Sequence, residues 1–506
     1  MSNCLPAELW TYIFDLATEE PALLDCSIPV AWDQSVWFKT MFGEWALKPP
    51  HERLNEIQRK SYATKKAIVS TNKLWRQIGS EYLFKYVFIE RPSQLRLLCE
   101  LLDKNSSRGW WTKRFHLVRF FREDKTSGDK HASVDALEDR LISVIRNMPN
   151  LQIFGVKWPL GSSFGPVADA LCTFCSNSLR TVHWSLSASS LSRVIWALAS
   201  LPNLTSITID FQNPVGPIRL GSASDLSLTL PHVAQLSLQN SFADFVEQAA
   251  GWVLPSLVSL TLDSGAIVDG LPDIPIFLMV HGLNLTYLDL NIIPPIDTPT
   301  VLDLCPNLRT FSFNPDWSPE SDPLDVDVAR IVRKPHEHIT HIGLHELLHA
   351  FGVGYTGTMD ARQPFRANLY RRNNDLTFAA LNLRNFPALR CIRVLNRGLL
   401  SDLERANGPG SGCFERWERW WSLCSRQNVR LEDCTGGLLG NLPELEGDVE
   451  DEDATETALS EESLQRDGEF DAINRSELRQ LLNECRKMNA ARVPPMQVAG
   501  QMRFGQ

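Results

Sequence analysis

The sequence predicts an α/β chain: a helical N-terminal region, a long repeat array built on a parallel sheet, and a disordered acidic C-terminal region. Three observations carry this prediction. Amphipathic helical patterns lie within the first 90 residues, and a leucine-centred pattern then returns at near-regular intervals from Met148 to Val394. Between Glu444 and Asp471 there are 13 acidic residues against one arginine, a composition too charged and too poor in aromatics to bury a core of its own.

Composition sets the outer bounds. With 506 residues, 43% hydrophobic and 22% charged, the chain resembles ordinary globular proteins and is long enough for a large core or an elongated array. No apolar run reaches the ~20 residues that span a bilayer. The opening MSNCLPAELW has neither a positive flank nor a long apolar stretch, so no secretory signal and no membrane association are expected. Eleven cysteines without a regular framework read as reduced thiols, which places the expected compartment in the cytoplasm or nucleus. The net charge of −10 sits mostly in the acidic stretch, leaving the remainder close to neutral and without a nucleic-acid footprint.

The first element is LPAELWTYIFDLAT. Pro6 at a helix start, Glu8 in the first turn, and Leu9, Ile13 and Phe14 at helical spacing describe a short amphipathic helix. A second follows in KKAIVSTNKLWRQIGSEYLFKYVFIE, residues 65–90, with Ile68, Val69, Trp75 and Ile78 on its apolar side and a β-like run at its end. Between them lies a stretch of about 40 residues containing Trp32, Trp37 and Trp45.

The array follows. Its pattern, L-x-x-L-x-L after a proline or a neighbour of one, begins at core positions Leu151, Leu179, Leu204, Val233, Leu257, Leu285, Leu308, Ile339 and Leu389. Successive positions are 23 to 31 residues apart until one double-length step at the end. A strand with alternate side chains pointing inward, followed by a crossover, cannot bury its leucines alone; stacked copies can. The irregular spacing and the missing asparagine make this an irregular leucine-rich repeat, with an ordinary doubly wound α/β domain as the alternative. SSLSRVIWALASL from Ser189 and FADFVEQAAGWVL from Phe242 carry helical spacing between strands. Cys172-Thr-Phe-Cys175 reads as part of a packed helix, since no second pair follows at zinc-ribbon distance.

HIGLHELLHA, residues 341–350, contains the H-E-x-x-H spelling of zinc peptidases in His345, Glu346 and His349. A third ligand is missing, because the position six residues after His349 holds Tyr355 and the next glutamate is Glu404. ITHIGL is expected to be a repeat strand and HELLHAF the helix after it, with Leu347, Leu348 and Phe351 inward and His345 and His349 on an outer surface. His336, His338 and His341 lie nearby as incidental metal donors. At the far end, FERWERWWSLCSRQNVRLEDC is read as a cap with Phe414, Trp417, Trp421 and Cys424 on one helical face. A short helix capped by Ser476 is expected near the C-terminus.

The N-terminal residues resemble an F-box, whose outline is L-P-x-E-[LI]-x-x-x-[IV]-[FL], then a helix ending in a K/R-x-W pattern and an apolar segment. Leu5, Pro6, Glu8, Leu9, Ile13 and Phe14 match the opening, and Lys73, Trp75, Ile78 and Leu83 match the close. The 40-residue insert departs from that outline and leaves the middle helix's boundary open. An F-box followed by leucine-rich repeats is similar to the substrate receptors of SCF-type ubiquitin ligases, and the long insert looks like that of fungal members. The resemblance implies a Skp-family adaptor, and through it a cullin, docked on Leu5, Pro6, Leu9, Ile13, Phe14 and Trp75, with an unknown protein substrate held by the repeats. It implies no catalytic residue, metal or cofactor. The corresponding organisation is an F-box-like region at 1–90 with an insert near 19–60, a solenoid at 91–435, and an acidic tail at 436–506. A repeat scaffold without a ubiquitin role, or a zinc hydrolase using HELLH, are the alternatives.

Overall fold

The computed structural model describes residues 5–439 except 19, 41–44, 49, 119–133, 162, 213–217, 268–272, 294–296, 317–330, 356, 358–363 and 411. The acidic stretch and the helix expected after Ser476 lie outside the described residues.

Among the described residues, twelve strands form one sheet. They are β3 (Tyr86–Ile89), β4 (Arg114–Leu117), β5 (Ile153–Leu160), β6 (Thr181–Ser187), β7 (Ser206–Gln212) and β8 (Gln235–Asn240), then β9 (Ser259–Ile267), β10 (Tyr287–Ile293), β11 (Thr310–Phe313), β12 (His341–Leu344), β13 (Cys391–Val394) and β14 (Arg430–Glu432). Each pairs in parallel with its neighbours in chain order. The order never reverses, so the sheet lacks the switch point of a doubly wound domain. All nine repeat positions predicted from sequence are buried, none more than 4% exposed. The next two apolar positions of each repeat, such as Leu260 and Leu262 on β9, point to the same side and are likewise buried.

That side packs on the crossover helices. Leu95 and Leu98 of α5 (Pro92–Lys104), Val167 and Leu171 of α7 (Phe164–Phe174), and Val194 and Leu198 of α8 (Leu191–Ala199) share one continuous core with the strands. So do Phe245 and Val246 of α9 (Ala243–Ala249) and Phe277 and Leu278 of α10 (Asp273–His281). Each fully buried Leu, Val or Phe contributes about 1.5–3 kcal/mol, and only stacking makes the burial possible. The array starts earlier than the sequence boundary at 91, because β3 is already its first strand.

The far end is closed by the helix Phe414–Arg426. Trp417 and Trp420 meet Phe351 edge-on at 5.1 and 5.4 Å, and Phe378 stacks on Trp420 at 4.1 Å. Asp375 accepts from Trp420 Nε1 at 3.0 Å and from Arg416 Nε at 2.9 Å. The expected face shifts slightly: Trp417, Trp420 and Cys424 are buried, whereas Phe414 is 43% exposed.

HELLHAF is not a helix, which corrects the sequence reading. After β12 the chain turns with φ of +54° at Glu346 and +58° at Leu347, a region costly for non-glycine residues. Long-range partners hold it there. Asp316 Oδ2 accepts from the Leu348 amide at 2.7 Å, and Asn396 Nδ2 donates to the Glu346 carbonyl at 2.9 Å. Leu347 and Phe351 enter the core as expected, but Leu348 remains 39% exposed.

Candidate functional site

Two surfaces stand apart from the core: the outer side of the first helix and the polar side of the sheet. The first helix, α1 (Ala7–Thr18), packs on α3 (Pro50–Thr71) and α4 (Lys73–Lys85). Asn72 caps α4 by accepting from the Trp75 amide at 2.8 Å. Phe14, Ile68 and Tyr82 form the bundle's small core, with Trp10, Trp75 and Ile78 packed around it. Trp75 lies 4.5 Å from Trp10 and 5.1 Å from Phe14, and Tyr82 Oη donates to the Thr11 carbonyl at 2.8 Å.

This packing divides the six residues predicted as a docking set. Leu5, Pro6, Leu9 and Ile13 are exposed, Leu9 at 47% and Ile13 at 40%. Phe14 is 2% exposed and Trp75 is half-buried, so both brace the helix from behind and cannot serve as its outer surface. Tyr12 and Leu16, which the sequence reading missed, are 63% and 60% exposed and complete an apolar stripe with Leu9 and Ile13. Together they form a contiguous exposed apolar stripe on one face of the helix.

The polar side of the sheet carries the alternate residue of each strand. Arg114 and His116 of β4, His183 and Ser185 of β6, Asp210 of β7, Gln239 of β8, Asp263 of β9, Asp289 and Asn291 of β10, and Arg393 of β13 border a cavity of about 1270 Å³. Charge is sorted along it. Arg114, Lys157 and His183 occupy one end, and burial, reinforced by the two neighbouring cations, pushes His183 well down. Asp210, Asp263, Asp289 and Glu346 occupy the middle. Their hydrogen bonds form a ladder: Asn240 Nδ2 donates to Asp210 Oδ1 at 2.5 Å, and Asn291 Nδ2 to Asp263 Oδ1 at 3.1 Å.

His345 belongs to this cavity and not to an outer surface. Its Nε2 lies 2.5 Å from Asp289 Oδ1, with only 14% of its side chain exposed. Burial pulls its pKa down, but the Asp289 carboxylate carries it above the ordinary value. His349 instead stacks on Tyr370 at 4.7 Å. Because the intervening residues are not helical, the two imidazoles of the H-E-x-x-H spelling serve different neighbours. Among the described residues no group of three or more His, Cys, Asp or Glu is placed to hold a metal ion. His336 Nε2 is engaged with the Cys305 carbonyl at 3.0 Å, and His341 Nδ1 with Thr340 Oγ1 at 2.7 Å. Burial raises the Cys172 and Cys175 thiols to about 11 and about 12, the state of packed and unreactive cysteines.

The insert supplies the roof. Residues 23–35 run across the polar side from the first strands to the last. Leu23 is fully buried, and its carbonyl accepts from Arg114 Nη1 on β4 at 3.2 Å. The Cys26 carbonyl accepts from Thr181 Oγ1 on β6 at 2.7 Å, and the Ile28 amide donates to Gln235 Oε1 on β8 at 2.7 Å. Trp32 Nε1 donates to Ser312 Oγ on β11 at 2.9 Å, while its carbonyl accepts from Arg393 Nη1 at 2.7 Å. The Ser35 amide closes the crossing on the Cys434 carbonyl at 3.0 Å. An antiparallel hairpin, β1 (Val36–Lys39) with β2 (Trp45–Lys48), then packs near the helix Arg397–Ala406 and returns the chain to α3, whose Arg53, Leu54 and Ile57 also border the cavity.

Among the described residues no helix is long and apolar enough to cross a membrane. No protein-family model matches the chain, and no curated protein matches it significantly.

Proposed function

We propose that this chain is a non-enzymatic receptor: an F-box-like bundle that docks a Skp-family adaptor, and through it a cullin, joined to an irregular leucine-rich-repeat array that holds the protein to be ubiquitinated. The observation that carries the reading is the outward stripe of Leu5, Pro6, Leu9, Tyr12, Ile13 and Leu16 on a helix whose opposite side is already satisfied by Phe14, Ile68 and Tyr82. Apolar side chains at i, i+4 and i+7 that none of the described residues covers suit helix-in-groove docking. Phe14 and Trp75 enter this reading as braces, not contacts. The array supports the second half, since its polar face offers a broad charged surface distinct from the α1 stripe.

The test is co-purification with a recombinant Skp-family adaptor. Wild type is expected to retain the adaptor, and the double variant Leu9→Asp, Ile13→Asp is expected to lose it while keeping its melting temperature. Retention by the double variant, or no adaptor on wild type, sinks the docking surface.

A further inference from the structure

The insert crosses the sheet in an unusual chemical manner. Along residues 23–35 the sheet contributes side chains and the strap contributes mostly main chain: the carbonyls of Leu23, Cys26 and Trp32 and the amide of Ile28 are met by Arg114, Thr181, Arg393 and Gln235. Main-chain atoms are common to every peptide, so four strands present a surface that reads polypeptide with little regard to its side chains. Four strap side chains add anchors: Leu23, Ile28 and Ser35 are buried, and Trp32 lies under the Arg393 guanidinium at 4.4 Å. The strap is also anchored at separated points and leaves the cavity of about 1270 Å³ open beside it. Between these anchors Asp25, Ser27, Asp33 and Gln34 are exposed, so stretches of the strap can open locally without unfolding the sheet behind them.

We propose that the polar sheet face is a polypeptide-binding surface whose resting occupant is the chain's own residues 23–35, and that a target protein engages it as an irregular segment that takes over the strap's main-chain partners. The identity of that target as a ubiquitination substrate rests on the proposed function; the binding mode does not. Buried Ser35, with its amide on the Cys434 carbonyl, and fully buried Leu23 are the strap's two ends, and displacement opens the exposed stretches between them. In the chain α1 and the hairpin flank residues 23–35, so the strap can leave the sheet while both flanking elements stay in place.

Two measurements decide it. Hydrogen exchange on the wild-type full chain is expected to show the Ile28 and Ser35 amides exchanging on the order of a hundredfold faster than the β8 amides behind them. Exchange at the same rate as β8 makes the strap a permanent wall and overturns the proposal. In the second, residues 24–34 are replaced by a Gly/Ser linker of equal length, and a fluorescent peptide of residues 21–37 is titrated in by anisotropy. The peptide is expected to bind the linker variant and at least tenfold more weakly to wild type, with Arg393→Ala in the linker variant weakening it about tenfold. No binding to a folded linker variant overturns the proposal; if that variant does not fold, the exchange ratio decides alone. Neither experiment involves the adaptor, so failure here and failure of the docking reading are separate results.

Discussion

Arg393 concentrates several contacts in one side chain. It donates to Glu432 Oε2 from Nε at 3.0 Å and from Nη2 at 2.6 Å, and to the Trp32 carbonyl from Nη1. With Arg393 and Glu432 only 11% and 5% exposed, removal of the guanidinium leaves a buried carboxylate whose remaining cationic partner, Arg430, is far more exposed. Arg393→Ala is expected to cost about 3 kcal/mol and Arg393→Lys nearly as much, because an ammonium cannot reproduce the fork; urea melts of both variants check this. Gly343 on β12 is a second such point. A Cβ there would lie 2.4 Å from Ser312 Oγ and 2.7 Å from Leu395 Cδ1, displacing the hydroxyl that accepts from Trp32. Gly343→Ala should lose about 1–3 kcal/mol. His345 gives the pH signature. Its folded-state pKa is raised above the unfolded value of 6.5, so its contribution is full below that value and is lost as pH rises through the folded one. Asp316, raised to about 6 by burial, acts in the same direction, since its ionised form is disfavoured in the folded state. Wild type is expected to lose more stability than His345→Gln between about pH 6 and about pH 8, measured as the change in urea midpoint; equal slopes would contradict the assignment.

Among the helices, α1 is apolar on two sides, one packed and one exposed. Trp10, Phe14 and Thr18 face the bundle, whereas Leu9, Ile13 and Leu16 face away. Phe14→Ala is expected to destabilise the bundle by about 3–5 kcal/mol, whereas Leu9→Asp and Ile13→Asp should leave the thermal midpoint nearly unchanged; differential scanning calorimetry separates the two classes. The sequence could place the helix but could not orient it, because helical periodicity marks both stripes equally. The array was far more legible. Each repeat's leucines sit two residues before a strand and then on alternate positions of it, so period and side-chain direction agree at Leu151, Leu204 and Leu257 alike. β4 escaped notice because Arg114 and His116 alternate with its two apolar residues and no leucine–proline signal precedes it. HELLHAF misled for the opposite reason. Its local pattern is helical, but Asp316 and Asn396, 32 and 50 residues away in sequence, hold it in a turn.

For the whole molecule, the decisive feature was invisible to any local reading. The strap's partners lie 155 residues along the chain at Thr181, 207 at Gln235 and 361 at Arg393, so no window of sequence could show that the insert crosses the sheet. The result is a long array core and a small bundle core, with two surfaces of different chemistry. One is an apolar stripe on α1; the other is a charged face partly covered by a segment that begins where α1 ends. Neither surface repeats in the array, which is why repeat reasoning located the scaffold and left the sites to be found in three dimensions. The central claim is that a foreign adaptor grips α1 and leaves the array free. Hydrogen exchange of the full chain with and without a saturating Skp-family adaptor tests it directly. Protection confined to residues 5–18 and the adjoining α4, with β5–β13 unchanged, is the predicted result; unchanged exchange in α1, or protection centred on the sheet, would contradict it.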